Sequence, residues 1–296
     1  MADNVAVLTA RARVSRLKRT RKLKRAIRQL LTHMLLVPMA VLFMLPYFWM
    51  LSTALKSDRQ VFAWPLVWIP DPMVWANFPE AIQFFPFWLY LRNTVQIALG
   101  NIVGALFSCT LVAYSFACIP WPGRNALFLL TLATMMLPYQ VTMVPMFIVF
   151  SKIGWVNTYR PLIVPSYFGS AFFIFLLRQF FMSIPKELFD AAKIDGSSYF
   201  RTYAQIVLPL AKPALFTICL FQFLRSWRSF TGPLIYLSDD KKYTITLGLR
   251  YFKREHDTEW QLLMAASIML TAPIIILFFF TQRTFVQGIA MTGIKG

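Results

Sequence analysis

The chain is expected to be an all-α membrane protein with six transmembrane helices, and three features carry that expectation. Of its 296 residues, 58% are hydrophobic and only 14% charged, whereas a soluble domain carries about 25% charged residues. The mean hydropathy is +0.57. Six apolar stretches reach the ~20 residues that a helix needs to cross a hydrocarbon core of about 30 Å. The positive charge is concentrated at one end of the chain, where it sets an orientation. A soluble domain is excluded for want of polar surface, and a disordered chain by the apolar surplus.

Residues 1–30 form a basic segment. Arg11, Arg13, Arg16, Lys18, Arg19, Arg21, Lys22, Lys24, Arg25 and Arg28 lie there against the single acid Asp3. In a soluble protein such a run would suggest nucleic acid. Here an apolar span follows at once, so the run is read as a cytoplasmic anchor on anionic lipid, with no nucleic-acid partner. The first span is too long for a cleaved leader and no A-x-A site follows it, so it is expected to stay in the membrane.

The six spans are expected at His33–Leu55, Thr94–Ile119, Asn125–Phe150, Pro161–Phe181, Val207–Leu237 and Leu262–Phe280. They are continuously apolar rather than alternating, which selects helices over a barrel. The six-helix body is assigned to 31–285 and a short tail to 286–296. With the N-terminus inside, six spans also place the C-terminus inside. Connections 56–93, 151–160 and 238–261 then face out, while 120–124 and 182–206 face in. The loop 238–261 balances five bases with five acids, so the basic end governs the topology.

Several local features bear on packing. Gly100-x-x-x-Gly104 permits close helix approach. Pro38, Pro46, Pro138, Pro145, Pro165, Pro209 and Pro213 interrupt spans and favour kinks. Trp64, Trp68, Trp75 and Trp88 enrich the first outer connection, as aromatics at a lipid–water interface do; stacking on a ligand is the alternative. Cys109, Cys118 and Cys219 lie in apolar stretches without metal or disulfide spacing. Two histidines, His33 and His256, are too few and too far apart for a metal site. An enzyme would need clustered His, Asp or Glu at one membrane face; here acids cluster only in 182–206 and 238–261 and His is nearly absent, which argues against one, and no stretch is long enough for the soluble domain of a sensor.

The connection 182–206 carries the most specific pattern. Pro185 and Glu187 suit the start of a helix. Leu188, Ala191, Ala192 and Ile194 give that helix an apolar side, and Gly196 suits its left-handed end. Ser197 is expected to cap a second helix bearing Phe200, Tyr203 and Ile206. The whole reads as an amphipathic helix–turn–helix, of which a plain interfacial helix would be the simplest form.

Asp190-Ala191-Ala192, three residues, Gly196, nine residues, then Ile206-Val207-Leu208-Pro209 resembles the E-A-A…G…I-x-L-P signature of ABC importer permeases. The one departure is Asp for Glu. Ser52–Lys56, Trp68-Ile69-Pro70, Asn77-Phe78, Asn93-Thr94, Phe230, Pro233-Leu234, Tyr243-Thr244, Phe285–Gly288 and Gly293–Gly296 are similar to the carbohydrate branch, which includes the shorter maltose permease subunit. The resemblance implies six helices with a coupling helix between the fourth and fifth, and an alternating-access half-pore. It implies docking on a cytoplasmic ATPase dimer through Glu187, Asp190, Ala191, Ala192, Asp195, Gly196 and Ser197. It implies a second homologous permease subunit and a bacterial inner-membrane location. It also implies an extracytoplasmic solute-binding protein, docking near Asp239, Asp240, Lys241 and Lys242. No G-x-x-x-x-G-K-[ST] occurs, so no cofactor is expected in this non-catalytic chain; ATP and Mg²⁺ belong to the partner ATPase.

The family usually shows Trp-Asn where this chain has Trp227-Arg228. Arg225 lies three residues before Arg228, on the same side of a helix. Intramembrane arginines face a bundle interior or a wet cavity. Arg225, Trp227 and Arg228 are therefore candidates for a translocation path carrying an anionic sugar such as a uronic-acid oligosaccharide. An ion pair with the partner permease and snorkelling to the surface are the alternatives for the arginines, and a core position is the alternative for Trp227. A permease for a sugar phosphate or glycerol phosphate is the competing reading of the chain.

Overall fold

The computed structural model describes the backbone of residues 2–253 and 258–293, and the side chains of 24, 25, 27–253 and 258–281. The expected tail residues Ile294, Lys295 and Gly296, and the side chains of the basic residues from Arg11 to Lys22 and of Phe285–Gly288, lie outside the described residues. The chain forms two compact units, Met1–Val74 and Trp75–Gly296.

The first unit is built on α1 (Ala2–Ala54), 53 residues that run through the basic segment into the first span without a break. Its apolar portion, Ile27–Ala54, is long enough to cross a bilayer. Pro38 and Pro46 lie inside it. The large apolar side chains from Ile27 to Leu45 are exposed, a surface suited to lipid. A single-turn helix, α2 (Asp58–Val61), follows. The loop then returns to the end of α1. Ser52 Oγ donates to the Trp68 carbonyl at 2.6 Å, Val74 N–H donates to the Leu55 carbonyl at 2.9 Å, and Trp49 meets Trp68 edge-on at 5.1 Å. The Lys56 ammonium lies 3.9 Å from the Trp49 ring centroid. The motifs Ser52–Lys56 and Trp68–Pro70 thus hold each other.

The second unit begins with α3 (Asn77–Gln83) and α4 (Phe87–Cys118). Helix α4 starts behind Pro86 and contains no proline. It ends at Ile119, whose extended ψ of 121° is what a residue before proline prefers; Pro120 follows. The expected third span is not one helix. It divides into α5 (Arg124–Ala133), a 3-10 turn at Thr134–Met136 and α6 (Tyr139–Lys152), bent by 96°. Leu137, again a residue before proline, is extended with ψ 112° and stops the first half.

The fourth span is also stepped. It consists of α7 (Arg160–Ile163), a 3-10 turn Val164–Phe168, Gly169 at φ 89°, and α8 (Ala171–Met182). Next come α9 (Lys186–Ile194) and α10 (Tyr199–Thr202), then a π-helical turn Tyr203–Val207 and α11 (Leu208–Leu210). The expected fifth span divides as well. A 77° bend at Ala211 separates this run from α12 (Lys212–Trp227), and a second break precedes α13 (Thr231–Tyr236). Pro213 explains the first break, because it cannot donate to the preceding turn and so sits at the head of a new helix. A 3-10 turn Asp240–Lys242, α14 (Ile245–Gly248), another 3-10 turn Leu249–Phe252 and α15 (Trp260–Gly293) complete the chain.

Four segments are thus long and apolar enough to cross a membrane, and two bent pairs bring the number to six if each pair is one span, among the described residues. Helix α4 is the hub, packed on α8, α12 and the 164–168 turn. Gly100 and Gly104 face that fourth-span segment: a Cβ on Gly100 would lie 2.9 Å from Ile163, and one on Gly104 would run into Ser166 and Tyr167. The small-residue spacing therefore serves the close approach expected of it. A core of Cys109, Ala113, Tyr114, Phe173, Leu177, Phe181, Tyr203, Val207 and Ile218 fills the space between α4, α8 and the 203–218 run. Cys109 is fully buried, while Cys118 and Cys219 are half-buried; all three are free.

Candidate functional site

Two loops of the second unit attach to opposite ends of α4. Thr94 anchors one and Thr110 the other, sixteen residues apart, which is ~24 Å along a helix.

The loop 182–206 is an amphipathic helix–turn–helix. Its first helix, α9, carries Glu187 in the first turn. It closes on Gly196, at φ 71°. Ser197 N–H donates to the Ala192 carbonyl at 2.9 Å and Gly196 N–H to the Lys193 carbonyl at 3.1 Å, a paired closure of the Schellman kind. That closure uses Ser197, so the cap of the second helix is not Ser197, as the sequence suggested, but Ser198. The extended Ser198 accepts the Arg201 N–H on its Oγ at 3.2 Å. Ser197 Oγ instead accepts from Thr202 Oγ1 at 3.2 Å.

The apolar side of α9 does not turn inward as a whole. Of Leu188, Ala191, Ala192 and Ile194, only Ala192 is buried, and Ile194 is 87% exposed. Tyr199 and Phe200 are exposed at 60% and 70%. Glu187, Asp190, Ala191, Asp195 and Gly196 are exposed and Ser197 half-buried. The structure thus brings the carboxylates Glu187, Asp190 and Asp195 together with large uncovered apolar groups on one short loop. Ile194, Tyr199 and Phe200 were not among the docking residues drawn from the signature. Their signal is a large apolar side chain on a short polar loop.

The base of the loop is tied to α4. Tyr203 and Thr110 hydroxyls are 2.7 Å apart. Tyr114 OH donates to the Tyr199 carbonyl at 3.0 Å, and the Tyr114 and Tyr203 rings lie 5.3 Å apart.

At the far end of α4, Asn93 and Thr94 hold the other loop. Asn93 Nδ2 donates to the carbonyls of Lys241 and Tyr243, each at 2.9 Å. Thr94 Oγ1 accepts the Ile245 N–H at 2.9 Å and donates to the Tyr90 carbonyl at 2.8 Å. That is what the Asn93-Thr94 motif does. Asp239, Asp240, Lys241 and Lys242 lie on a 3-10 turn. Lys242 and Asp239 are paired within the chain. Lys242 Nζ sits 3.5 Å from the Asp239 carboxylate and donates to the Asn157 carbonyl at 2.9 Å. A cavity of about 450 Å³ opens beside the turn, lined by Asp240, Tyr243, Leu247, Arg250, Tyr251 and Lys253. Burial and the Asp240 carboxylate push the Tyr243 phenol up, so it stays neutral and serves as a hydrogen-bond donor.

Asn157, which the sequence reading passed over, fastens this loop to the 151–160 connection. Its φ is 60°. Its Oδ1 accepts from Ser238 N–H at 3.2 Å and Asp239 N–H at 3.1 Å, and its own N–H donates to the Tyr236 carbonyl at 2.7 Å. Asn157→Ala removes both accepted bonds and puts a Cβ without a polar group in the left-handed region. The expected cost is about 2–3 kcal/mol locally, read as faster amide exchange in 236–242. Asn157→Gly, which relieves the backbone term, is expected to cost less.

Arg225 and Arg228 are exposed in the last turn and at the end of α12. Neither forms an ion pair with a carboxylate among the described residues. Arg228 Nε donates to the Leu224 carbonyl at 3.3 Å, so part of its charge meets the negative end of α12. Trp227 is elsewhere. It is 5% exposed, its indole N–H donates to the Leu270 carbonyl at 3.0 Å, and its ring stacks on Phe223 at 5.2 Å. Of the two readings of Trp227, this placement is the core one. Beside it, buried Asn101 Nδ2 donates to Ser226 Oγ at 3.2 Å, tying α12 to α4.

Comparison with known proteins decides the family. Residues 109–291 match the model of the binding-protein-dependent transport system inner membrane component. The chain belongs to this family, the permease subunits of ABC importers. Among relatives of the permease, the arabinooligosaccharides transport system permease protein AraQ of Halalkalibacterium halodurans is 34% identical over 235 residues, covering 78% of this chain and 83% of that protein. The sn-glycerol-3-phosphate transport system permease protein UgpE of Yersinia pestis is 32% identical over 265 residues, covering 87% and 94%. In fold, the permease is similar to a chain of a bacterial ABC transporter involved in the import of the acidic polysaccharide alginate. The TM-score is 0.77 at 21% identity, over 87% of this chain and 96% of that one.

Proposed function

We propose that this permease forms half of the translocation pore of an ATP-driven carbohydrate importer and couples to a cytoplasmic ATPase through the 182–206 loop. The observation that carries the coupling role is the exposed face of α9 and α10, where Ile194, Tyr199 and Phe200 stand beside Glu187, Asp190 and Asp195. Such a patch on a chain without a P-loop calls for a protein partner. ATP and Mg²⁺ are used by that partner. The N- and C-termini and the 182–206 loop lie in the cytoplasm, and the Asp239–Lys242 turn faces the solute-binding protein. The other half of the pore is a homologous permease subunit.

The cargo is an anionic oligosaccharide of the uronic-acid type. Arg225 and Arg228 support this, as two exposed guanidiniums with no carboxylate partner among the described residues; guanidinium groups pair with carboxylates in two-pronged fashion. The similar fold of an importer of acidic polysaccharide agrees with it. A phosphorylated cargo fits the same chemistry, and the relative named for glycerol 3-phosphate favours it as the second reading.

The test is ATPase stimulation of the reconstituted complex by its binding protein, loaded in turn with neutral, uronic and phosphorylated sugars. Stimulation by uronic sugars alone is expected; stimulation by neutral sugars alone would return the arginines to a structural role. For Arg228→Asn, transport of the acidic oligosaccharide is expected to fall about tenfold, as for loss of one charged contact of ~1.4 kcal/mol. Unchanged transport would sink the cargo role.

A further inference from the structure

We propose that a buried hydroxyl clasp between α4 and the second half of the 182–206 loop transmits movement of that loop into the pore. Tyr203, Thr110 and Tyr114 are its positioning residues. The proposal rests on the importer reading above.

The argument starts from what each half of the loop holds on to. Helix α9 is exposed along most of its length and buries Ala192. Pushed by a partner, it has few fixed points of its own. The segment after Gly196 is different. Thr202, Tyr203 and Val207 are buried at 6%, 8% and 0% exposure, and two hydroxyl bonds reach α4 from there.

The direction of those bonds follows from hydrogen counting. Thr110 Oγ1 lies 2.6 Å from the Leu106 carbonyl and donates its single hydrogen there. A threonine hydroxyl has one hydrogen and two lone pairs. In the 2.7 Å contact, Tyr203 is therefore the donor and Thr110 the acceptor. Tyr114 supplies the second bond from the next turn of α4, to the Tyr199 carbonyl. The loop is thus gripped at both ends of one helical turn, with the two tyrosine rings in contact.

The backbone next to the clasp is built to give way. Tyr203–Val207 is a π-helical turn, a form rare in proteins and concentrated where helices flex or function. Ala211 then turns the chain by 77° into α12. Displacement of the loop therefore has two routes: through the compliant turn into α12, or through the clasp into α4. Helix α4 is 32 residues long and proline-free. It also holds Ser226, beside Arg225, through Asn101 and the 241–245 segment through Asn93 and Thr94. A push delivered at Tyr199–Tyr203 reaches both the arginine turn and the far loop along that one rigid helix.

The experiment measures sugar accumulated per ATP hydrolysed by the full importer complex in vesicles. Tyr203→Phe keeps the ring and removes the donor; Thr110→Val keeps the shape and removes the acceptor. Each is expected to raise ATP consumed per sugar several-fold while the complex still assembles, and the double variant is expected to be no worse than either single one. Ser108→Ala removes a different buried α4 hydroxyl, the one whose single hydrogen is shared between the Gly104 and Ser166 carbonyls at 2.9 and 3.0 Å, and is expected to leave the ratio unchanged. An unchanged ratio in both single variants would overturn the clasp, as would simple additivity in the double or an equal shift in Ser108→Ala. A wild-type complex whose hydrolysis ignores every loaded binding protein would instead overturn the importer reading.

Discussion

Leucine in place of Gly104 is expected to prevent accumulation of the folded permease. A Cβ alone at this position would run into Ser166 Oγ and lie 2.6 and 2.7 Å from two ring carbons of Tyr167. The Ser166 backbone has little room to yield. Ser166 Oγ donates to the Ile163 carbonyl at 2.7 Å, and its own carbonyl accepts from Ser108 at 3.0 Å, so the 3-10 turn is fastened to the very helix it would have to leave. Membrane helices associate through close packing of small residues, without a water-driven term to compensate for a gap. Overpacking costs about 1–3 kcal/mol where neighbours can shift, and more where they cannot. Gly104→Leu belongs to the second case, so a loss of about 3 kcal/mol or more is expected, read as lost yield of monodisperse protein and a lowered melting temperature. Val103→Leu, one residue along at a position 56% exposed, is the matched control and is expected to melt like the parent. Parent-like melting of Gly104→Leu would mean that α4 and the 164–168 turn do not pack as described.

The Gly100/Gly104 spacing was legible in the sequence because sterics at a glycine depend on little else. The same holds for Gly196, whose left-handed φ of 71° was expected from its place after a helix-length run. The spans were legible as apolar helical stretches, but the places where they bend were not. Hydropathy sums over a window and is blind to direction, so the 96° turn at Leu137–Pro138 and the 77° turn at Ala211 left no trace in it. The prolines marked both places, yet Pro145 and Pro273 lie inside unbroken helices, so proline alone does not say where a span bends. The cap moved from Ser197 to Ser198 because the helix before it closed with a second hydrogen bond. Two adjacent serines offer the same chemistry until that bond is counted. Asn157, Thr110 and Tyr114 were illegible for a different reason. Their partners are 82, 93 and 85 residues away, and a single sequence carries no information on such distances. Trp227 offered two readings, and its neighbour Leu270, 43 residues on, is what separates them.

Aspartate in place of Ile194 should abolish assembly with the ATPase while leaving the permease itself intact. The two halves of that expectation have different causes. Ile194 is 87% exposed at the end of α9. An aspartate there removes no packing within the chain, and its effect on folding should stay within about 0.5 kcal/mol, as for other exposed positions. In the assembled importer the same side chain would be buried on the partner. Interfaces concentrate their energy in a few large apolar anchors, whose loss costs about 2 kcal/mol or more, and a charge placed on the buried face adds a desolvation penalty. Binding should therefore weaken by roughly 30-fold or more. Asp195 follows directly and Asp190 lies one turn away on the same short helix, so the new carboxylate also adds like-charge repulsion on the permease side. Co-purification of the ATPase from detergent, beside the melting temperature of the permease alone, reads the two quantities separately. Lost co-purification with an unchanged melting temperature is the expected pair of results. Retained co-purification would move the docking surface off the exposed face of α9, and a fall in melting temperature would mean that Ile194 packs within the chain after all.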